Sequence, residues 1–519
     1  MSGLNSGNSD FAKWRGYFWP VHRYELRKLI PMLLIFFFIS FDYNILRVMK
    51  DTVVITAKNS GAEVIPFIKV WVMFPSAILM TWMFTRLSNR FSRDRVFYSM
   101  VSFFLSYYFI FIFFLYPNRD WFHPNESADA LQTILPQGFK GLIAMYRNWT
   151  FTIFYVMSEM WSSIVLSVLF WGFANQITRL DEAKRFYGLF GIGANLSGIA
   201  AGQASVYLSR HVFNPSLPFG KDAWEQSMGM IIIVVTLAGI AAMFVYRWMT
   251  HNILNDTRFY EEVQAQDEKK LKGNLSLRNA FSYLLKSRYL FCIALIVISY
   301  NLVINILEVI WKHQVRELYP NPGEYSIYMN QVTTVIGICS TFAALFISGN
   351  SIRSFGWTFT ALLTPALLFI TSVGFFAFFF LKGFFNDQIT TAIGASPLVL
   401  VVFFGSIQNI VSRAAKYSVF DATKEMAFVP LSSEWKLKGK AAIDGVCSRL
   451  GKSGGSIVHQ FLLLLFSSIS ASAPYAAAFL FAVIGVWISA TKLLGNQFAE
   501  ISSTSTSKAA ETKTSLQEA

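Results

Sequence analysis

The chain has 519 residues, of which 54% are hydrophobic, 17% aromatic and only 14% charged. A soluble domain carries about 25% charged residues, so this composition excludes a soluble globular protein and describes an all-α polytopic membrane protein in a lipid bilayer. The net charge of +14 is largely what loops retained on one membrane face supply, and no nucleic-acid partner is expected. Cys292, Cys339 and Cys447 all lie in apolar runs, without disulfide or metal-ligand spacing, and no metal or cofactor is expected.

Residues 1–28 are polar and basic and read as a cytoplasmic N-terminal segment, with neither a cleavable signal nor a transit peptide expected. A spanning helix needs about 20 mainly apolar residues. Twelve such segments follow, at 29–49, 64–85, 96–116, 149–176, 184–208, 227–249, 288–311, 326–348, 356–381, 395–420, 440–467 and 473–495. The fifth and eleventh are the weakest, being rich in Gly, Ser and charge. Each follows a polar loop of similar character, DEAKRFYG in one case and EWKLKGKAA in the other. In the loop 117–148, Leu131, Ile134 and Leu135 have helical spacing and predict a short interfacial helix. The QAQDEKKLKGN run marks 250–287 as a cytoplasmic linker between a first half, 29–249, and a second, 288–495. Residues 496–519 have the composition of a disordered tail. Lys and Arg are concentrated in the loops on the side of the termini; the opposite loops hold few, counting Lys58, Arg119 and, at the end of the seventh segment, Lys312. That bias places both termini in the cytoplasm.

The halves are related by a repeat. YNILRVMK (Tyr43–Lys50) recurs as INILEVIWK (Ile304–Lys312), and Asn89 and Asn350 share the same offset of 261 positions. The repeat sets Arg47 opposite Glu308. A basic loop, RLSNRFSRDR, follows the second segment, and ISGNSIRSFG occupies the equivalent place in the second half. Two six-helix halves joined by a long inner loop describe a major-facilitator-like fold, in which helices 1, 4, 7 and 10 line a central cavity.

Ionisable groups inside a membrane are costly and usually functional. Here they fall in stripes. Tyr43, Arg47 and Lys50 share one face of the first segment. Asn301, Asn305, Glu308 and Lys312 share one of the seventh; Ser406, Asn409, Arg413 and Lys416 one of the tenth; Asp444, Ser448 and Lys452 one of the eleventh. Glu159 lies in the fourth. Lipid cannot solvate such faces, so they look onto protein or water. The charges either line a substrate cavity or lock helices together, as Arg47 with Glu159 or Glu308 with Arg413 would. Lys and Arg in excess of acids suit a polyphosphate, since Arg binds phosphate in a bidentate fork and Lys as a point charge. Gly451-Lys452-Ser453 ends like a phosphate-binding loop, but Gly445 leaves one residue too many before it and no strand precedes it. These glycines read as close helix packing.

The stretches AKYSVFDATKEMAFVPL (Ala415–Leu431), KLKGKAAIDGVCSRLGKSGGS (Lys436–Ser456), FWPVHRYELRKLIPM (Phe18–Met32) and NILRVMKDT (Asn44–Thr52) resemble the nucleotide transporters, or ATP/ADP translocases, of obligate intracellular bacteria and plastids. The resemblance covers roughly residues 15–500, is most similar to a chlamydial member, and implies a bacterial cytoplasmic (inner) membrane. It implies exchange of external ATP for internal ADP plus phosphate. It also implies functional charges at Lys50, Glu159, Glu308 and a lysine early in the eleventh segment, Lys440 or, second, Lys452. Members of the same family also import several nucleotides, some with protons, or NAD.

The reading is an ATP/ADP antiporter, not an enzyme, working as a monomer by alternating access. Arg47, Lys50, Arg413, Lys416 and Lys452 would hold the phosphates, with Lys440 as the family-implied lysine. Glu159 and Glu308 would gate. The rivals are a nucleotide–proton symporter using Glu159, Glu308 or Asp444, and a membrane-embedded nucleotide-dependent enzyme.

Overall fold

The computed structural model describes residues 21–178, 180–210, 212–254, 287–384, 394–431, 439–440 and 442–517. The segment before residue 21, most of the linker 250–287 and Lys436–Lys438 of the family stretch lie outside the described residues. Among the described residues, ten helices are long and apolar enough to cross a membrane. They are α1 (Leu26–Ile55), α2 (Val64–Arg90), α3 (Arg93–Leu115), α4 (Trp149–Ile177), α6 (Ala223–Asn252), α7 (Arg288–Leu318), α8 (Pro322–Phe346), α9 (Ser348–Leu381, kinked at Gly356, where φ is +77°), α10 (Pro397–Ala427) and α12 (Ile469–Gln517). The other two spans, α5 (Leu180–Ser209) and α11 (Ile443–Cys447 continuing as Ser448–Phe466), are the two that hydropathy marks least clearly. The fold is therefore the expected twelve-helix bundle. α12 runs on through the segment whose composition reads as a disordered tail.

Polar caps set several helix starts. The side chains of Asp222, Ser287, Asn321 and Ser396 accept hydrogen bonds from the first turns of α6, α7, α8 and α10. α1 and α7 overrun their expected ends by about two turns. Hydropathy ends a segment where charge begins, but Lys50, Asp51 and Lys312 are paired with one another, so the charges do not interrupt the helices. The loop between α3 and α4 holds the expected short helix, Asn125–Ile134, and a second, Lys140–Arg147. Arg147 ties them together through Asp129 at 2.6 Å, which holds the exposed Asp129 carboxyl below the usual carboxylate range.

The packing repeats between the halves. α1 lies on α5 and α6, and α7 on α11 and α12. The halves meet where α5 packs along α8 and where the start of α2 packs on α11. These are again equivalent pairs, as a two-fold pseudo-axis requires. Gly202 permits the α5–α8 approach: a Cβ there would lie 2.7 Å from the Asn330 carbonyl oxygen. Gly451 does the same between α11 and α7, at 2.8 Å from the carbonyl oxygen of Ile298. The glycines around Lys452 are thus packing residues in a helix, with no phosphate loop.

Candidate functional site: a charged cavity on the pseudo-axis

Asp51 and Lys312 are equivalent residues of the two halves, 261 positions apart, and they touch: Lys312 Nζ lies 2.8 Å from Asp51 Oδ2. One turn on, Arg316 Nε donates to the Ile55 carbonyl at 3.2 Å, again across 261 positions. Repeat-related residues meet in this way only on the axis that relates the halves. The network spreads from this pair within each half. On the first half, Lys50 reaches Asp51 Oδ1 at 3.0 Å and Glu159 Oε2 at 3.3 Å, and its ammonium lies 3.8 Å from the centre of the Tyr155 ring. On the second half, Glu308 Oε1 takes Lys312 at 2.9 Å and Arg413 at 3.0 Å. Arg413 also donates from Nε to Asn409 Oδ1 at 3.0 Å. The trio Lys50, Asp51 and Glu159 sums to minus one; the trio Glu308, Lys312 and Arg413 sums to plus one. Within this network the ion pair between Asp51 and Lys312 is the link from one trio to the other.

Helix irregularities position the other cations. Lys69 sits in a π-helical stretch, Ile68–Val72, and Lys416 begins another, Lys416–Phe420. Such wide turns are frequent at functional sites and swing side chains off the regular helical face. Lys69 Nζ donates to Asn305 Oδ1 across the halves at 2.7 Å. Lys416 lies over the rings of Tyr300 and Tyr417 at 5.9 and 5.1 Å. Arg47 lines a small pocket with Asp51, Glu308, Trp311, Thr333 and Asn409. Among the described residues, Arg47, Lys69, Lys416 and Lys452 have no carboxylate at ion-pairing distance, though Glu159 feels the charges of Lys69 and Lys452, and Glu308 those of Lys69 and Arg47.

Seven of the eight residues expected from sequence thus fall in one electrostatic neighbourhood: Arg47, Lys50, Glu159, Glu308, Arg413, Lys416 and Lys452. Of the two anticipated pairings, Glu308 with Arg413 is present, whereas Glu159 pairs with Lys50 instead of Arg47. Lys440 is elsewhere, paired with Glu425 at 2.5 Å beside the Lys424–Asp444 pair, near the start of α11. Asp51 lies outside the predicted stripes, and Lys312, on the stripe of the seventh segment but counted with the outer-loop cations, is not among the expected site residues. Both sit just past the last apolar residue of their segment. The signal was available in the 261 offset, which aligns an acid with a base.

Exposure grades through the site. The side chains of Lys50, Asp51 and Lys312 are only 3–4% exposed, Glu308 and Arg413 13–14%, and Glu159 25%; Tyr417 is 42% exposed and Lys452 is also exposed. The dry end lies toward the loop that holds helices Asn125–Ile134 and Lys140–Arg147. There the halves are also joined by Gln460, which donates to the Pro66 carbonyl and accepts from Trp71. The wet end lies toward the chain termini.

A twelve-helix bundle with two equivalent halves and a polar cavity on their axis is a major-facilitator-like fold. Solved structures with the same fold include a D-xylose–proton symporter (TM-score 0.52, 12% identity, covering 91% of this chain and 97% of that one) and a bacterial homologue of the iron transporter ferroportin (TM-score 0.53, 12% identity, 93% and 100%). The chain belongs to the TLC ATP/ADP transporter family, whose pattern matches residues 4–498. It is 48% identical to ADP,ATP carrier protein 1 of Chlamydia muridarum over 94% of this chain and 92% of that one. It is 45% identical to ADP,ATP carrier protein 1 of Chlamydia pneumoniae (93% and 94%), and 41% identical to the chloroplastic ADP,ATP carrier protein 2 of Arabidopsis thaliana (91% and 75%).

Proposed function

We propose that this chain exchanges external ATP for internal ADP and phosphate across a bacterial inner membrane, as a monomer with both termini in the cytoplasm. It is a transporter, not an enzyme. The halves 29–249 and 288–495, joined in sequence by the linker 250–287, rock about the axis. The observation that carries the reading is the cationic cavity on the pseudo-axis of a chain in this family.

Alternating access follows from the charges. With the loop end closed, Asp51 and Lys312 hold the halves together and the cavity opens toward the termini. Phosphoryl oxygens entering that cavity compete for Arg413, Lys312 and Lys50, since charge-assisted bonds from these groups suit phosphate as well as carboxylate. A Lys312 engaged by phosphate no longer needs Asp51, and the loop end is released. Without an anion, opening strips Lys312 from Asp51 and leaves both poorly compensated. Breaking a buried pair costs about 3–5 kcal/mol, which slows the empty carrier on the order of a hundred- to several-thousandfold. Exchange is therefore coupled, with Glu159 and Glu308 keeping the cations of each half in place between substrates.

The test uses purified protein in vesicles loaded with ADP or with buffer alone, and follows uptake of labelled ATP. ADP-loaded vesicles should take up ATP at least a hundredfold faster. Equal uptake into both removes the antiport, and uptake into empty vesicles driven by an inward proton gradient establishes proton symport instead.

A further inference from the structure

The cavity has more positive charge than its own acids can balance. The charged groups that act on one another there are seven cations, namely Arg47, Lys50, Lys69, Lys312, Arg413, Lys416 and Lys452, and three acids, Asp51, Glu159 and Glu308. Asp421, which acts on Lys416 from the same helix, is a fourth acid. Seven against four leaves a surplus of three, or four if Asp421 is set aside. Uncompensated charge inside a bilayer is costly, so the occupant that best settles this cavity is one with three or four negative charges. ADP without a metal is a trianion and ATP without a metal is a tetra-anion. Their magnesium complexes carry two charges fewer.

The carboxylates point the same way. Magnesium bound to a nucleotide is held by phosphate oxygens, water and one or two protein carboxylates. Here Asp51 is taken by Lys50 and Lys312, Glu308 by Lys312 and Arg413, and Glu159 by Lys50; Asp421 makes no ion pair among the described residues but faces the charges of Lys416 and Lys424. Freeing Glu308 for a hydrated metal would strip Arg413 of its carboxylate, and freeing Asp51 would break the ion pair between the halves. The metal would also repel the cations that bind phosphate.

We infer that the transported species are the metal-free nucleotides, and that the magnesium complexes are not carried. This rests on the ATP/ADP reading, and the experiment separates the two. ADP-loaded vesicles are given labelled ATP at several total concentrations while external magnesium is titrated at each, and the series is repeated with calcium. Uptake should fall as the metal rises, and all rates should collapse onto one curve when plotted against uncomplexed ATP, for either metal. Uptake that is unchanged or raised by magnesium overturns the inference and leaves the ATP/ADP reading intact. A fractional loss set by magnesium concentration alone, whatever the total ATP, overturns it too. No ATP uptake under any condition removes the ATP/ADP reading, and this inference with it.

Discussion

Lys50 and Arg413 each hold a carboxylate in place and present a cation to the cavity. Lys50 is the more enclosed, between Asp51, Glu159 and the face of Tyr155. Arg413 is fixed by Asn409 and Glu308. Charge-assisted hydrogen bonds contribute about 1.5–3 kcal/mol, so Lys50→Ala and Arg413→Ala should each weaken ATP binding roughly ten- to a hundredfold, and AMP binding less. Glu308→Gln should behave in the opposite way. It keeps the shape and a hydrogen-bond acceptor but frees Lys312 and Arg413 from a charge, so direct binding of ATP should survive while vesicle exchange falls. Binding and exchange measured on one preparation separate the classes; proportional losses in Glu308→Gln would show that it has no separate role in reorientation. Arg413 and Glu308 are legible in the sequence as charges inside apolar runs, and Lys50, just past the end of its run, through its stripe with Tyr43 and Arg47 and the family resemblance. Asp51 was not, because a charge at the edge of an apolar run looks like a helix end.

The element-scale device is the latch between α1 and α7. Each half keeps its own trio of charges, and the contact between the trios is the Asp51–Lys312 pair, supported by Arg316 on the Ile55 carbonyl. A double-mutant cycle isolates it. Asp51→Asn and Lys312→Gln each break the same contact, so the double variant should lose little more exchange activity than either single one. The coupling should lie within about 0.5–3 kcal/mol, the range for residues in direct contact. Losses that simply add would show that the pair does not act as a unit. The repeat in the sequence was enough to find α5 and α11, whose Gly and Ser serve close packing and depress hydropathy. It was not enough to find the π-helical stretches that carry Lys69 and Lys416, since an extra residue in a helical turn leaves no periodic trace in an all-apolar segment.

At the scale of the whole molecule, two equivalent helix sets close one end of a shared cavity and leave the other wet. The account stands on the claim that nucleotide, by competing for the latch, moves the halves. Distances across the loop end report this directly. Lys58, in the loop before α2, and Glu324, in the first turn of α8, are exposed on opposite halves. With Cys292, Cys339 and Cys447 replaced, spin labels on Lys58→Cys and Glu324→Cys can be measured in vesicles by pulsed dipolar spectroscopy. Without nucleotide the account predicts one short distance. With saturating metal-free ATP it predicts a second, longer population, and that population should be present without nucleotide in the Asp51→Asn/Lys312→Gln background. A loop-end distance that is the same with and without ATP, in a preparation that exchanges nucleotides, would contradict it.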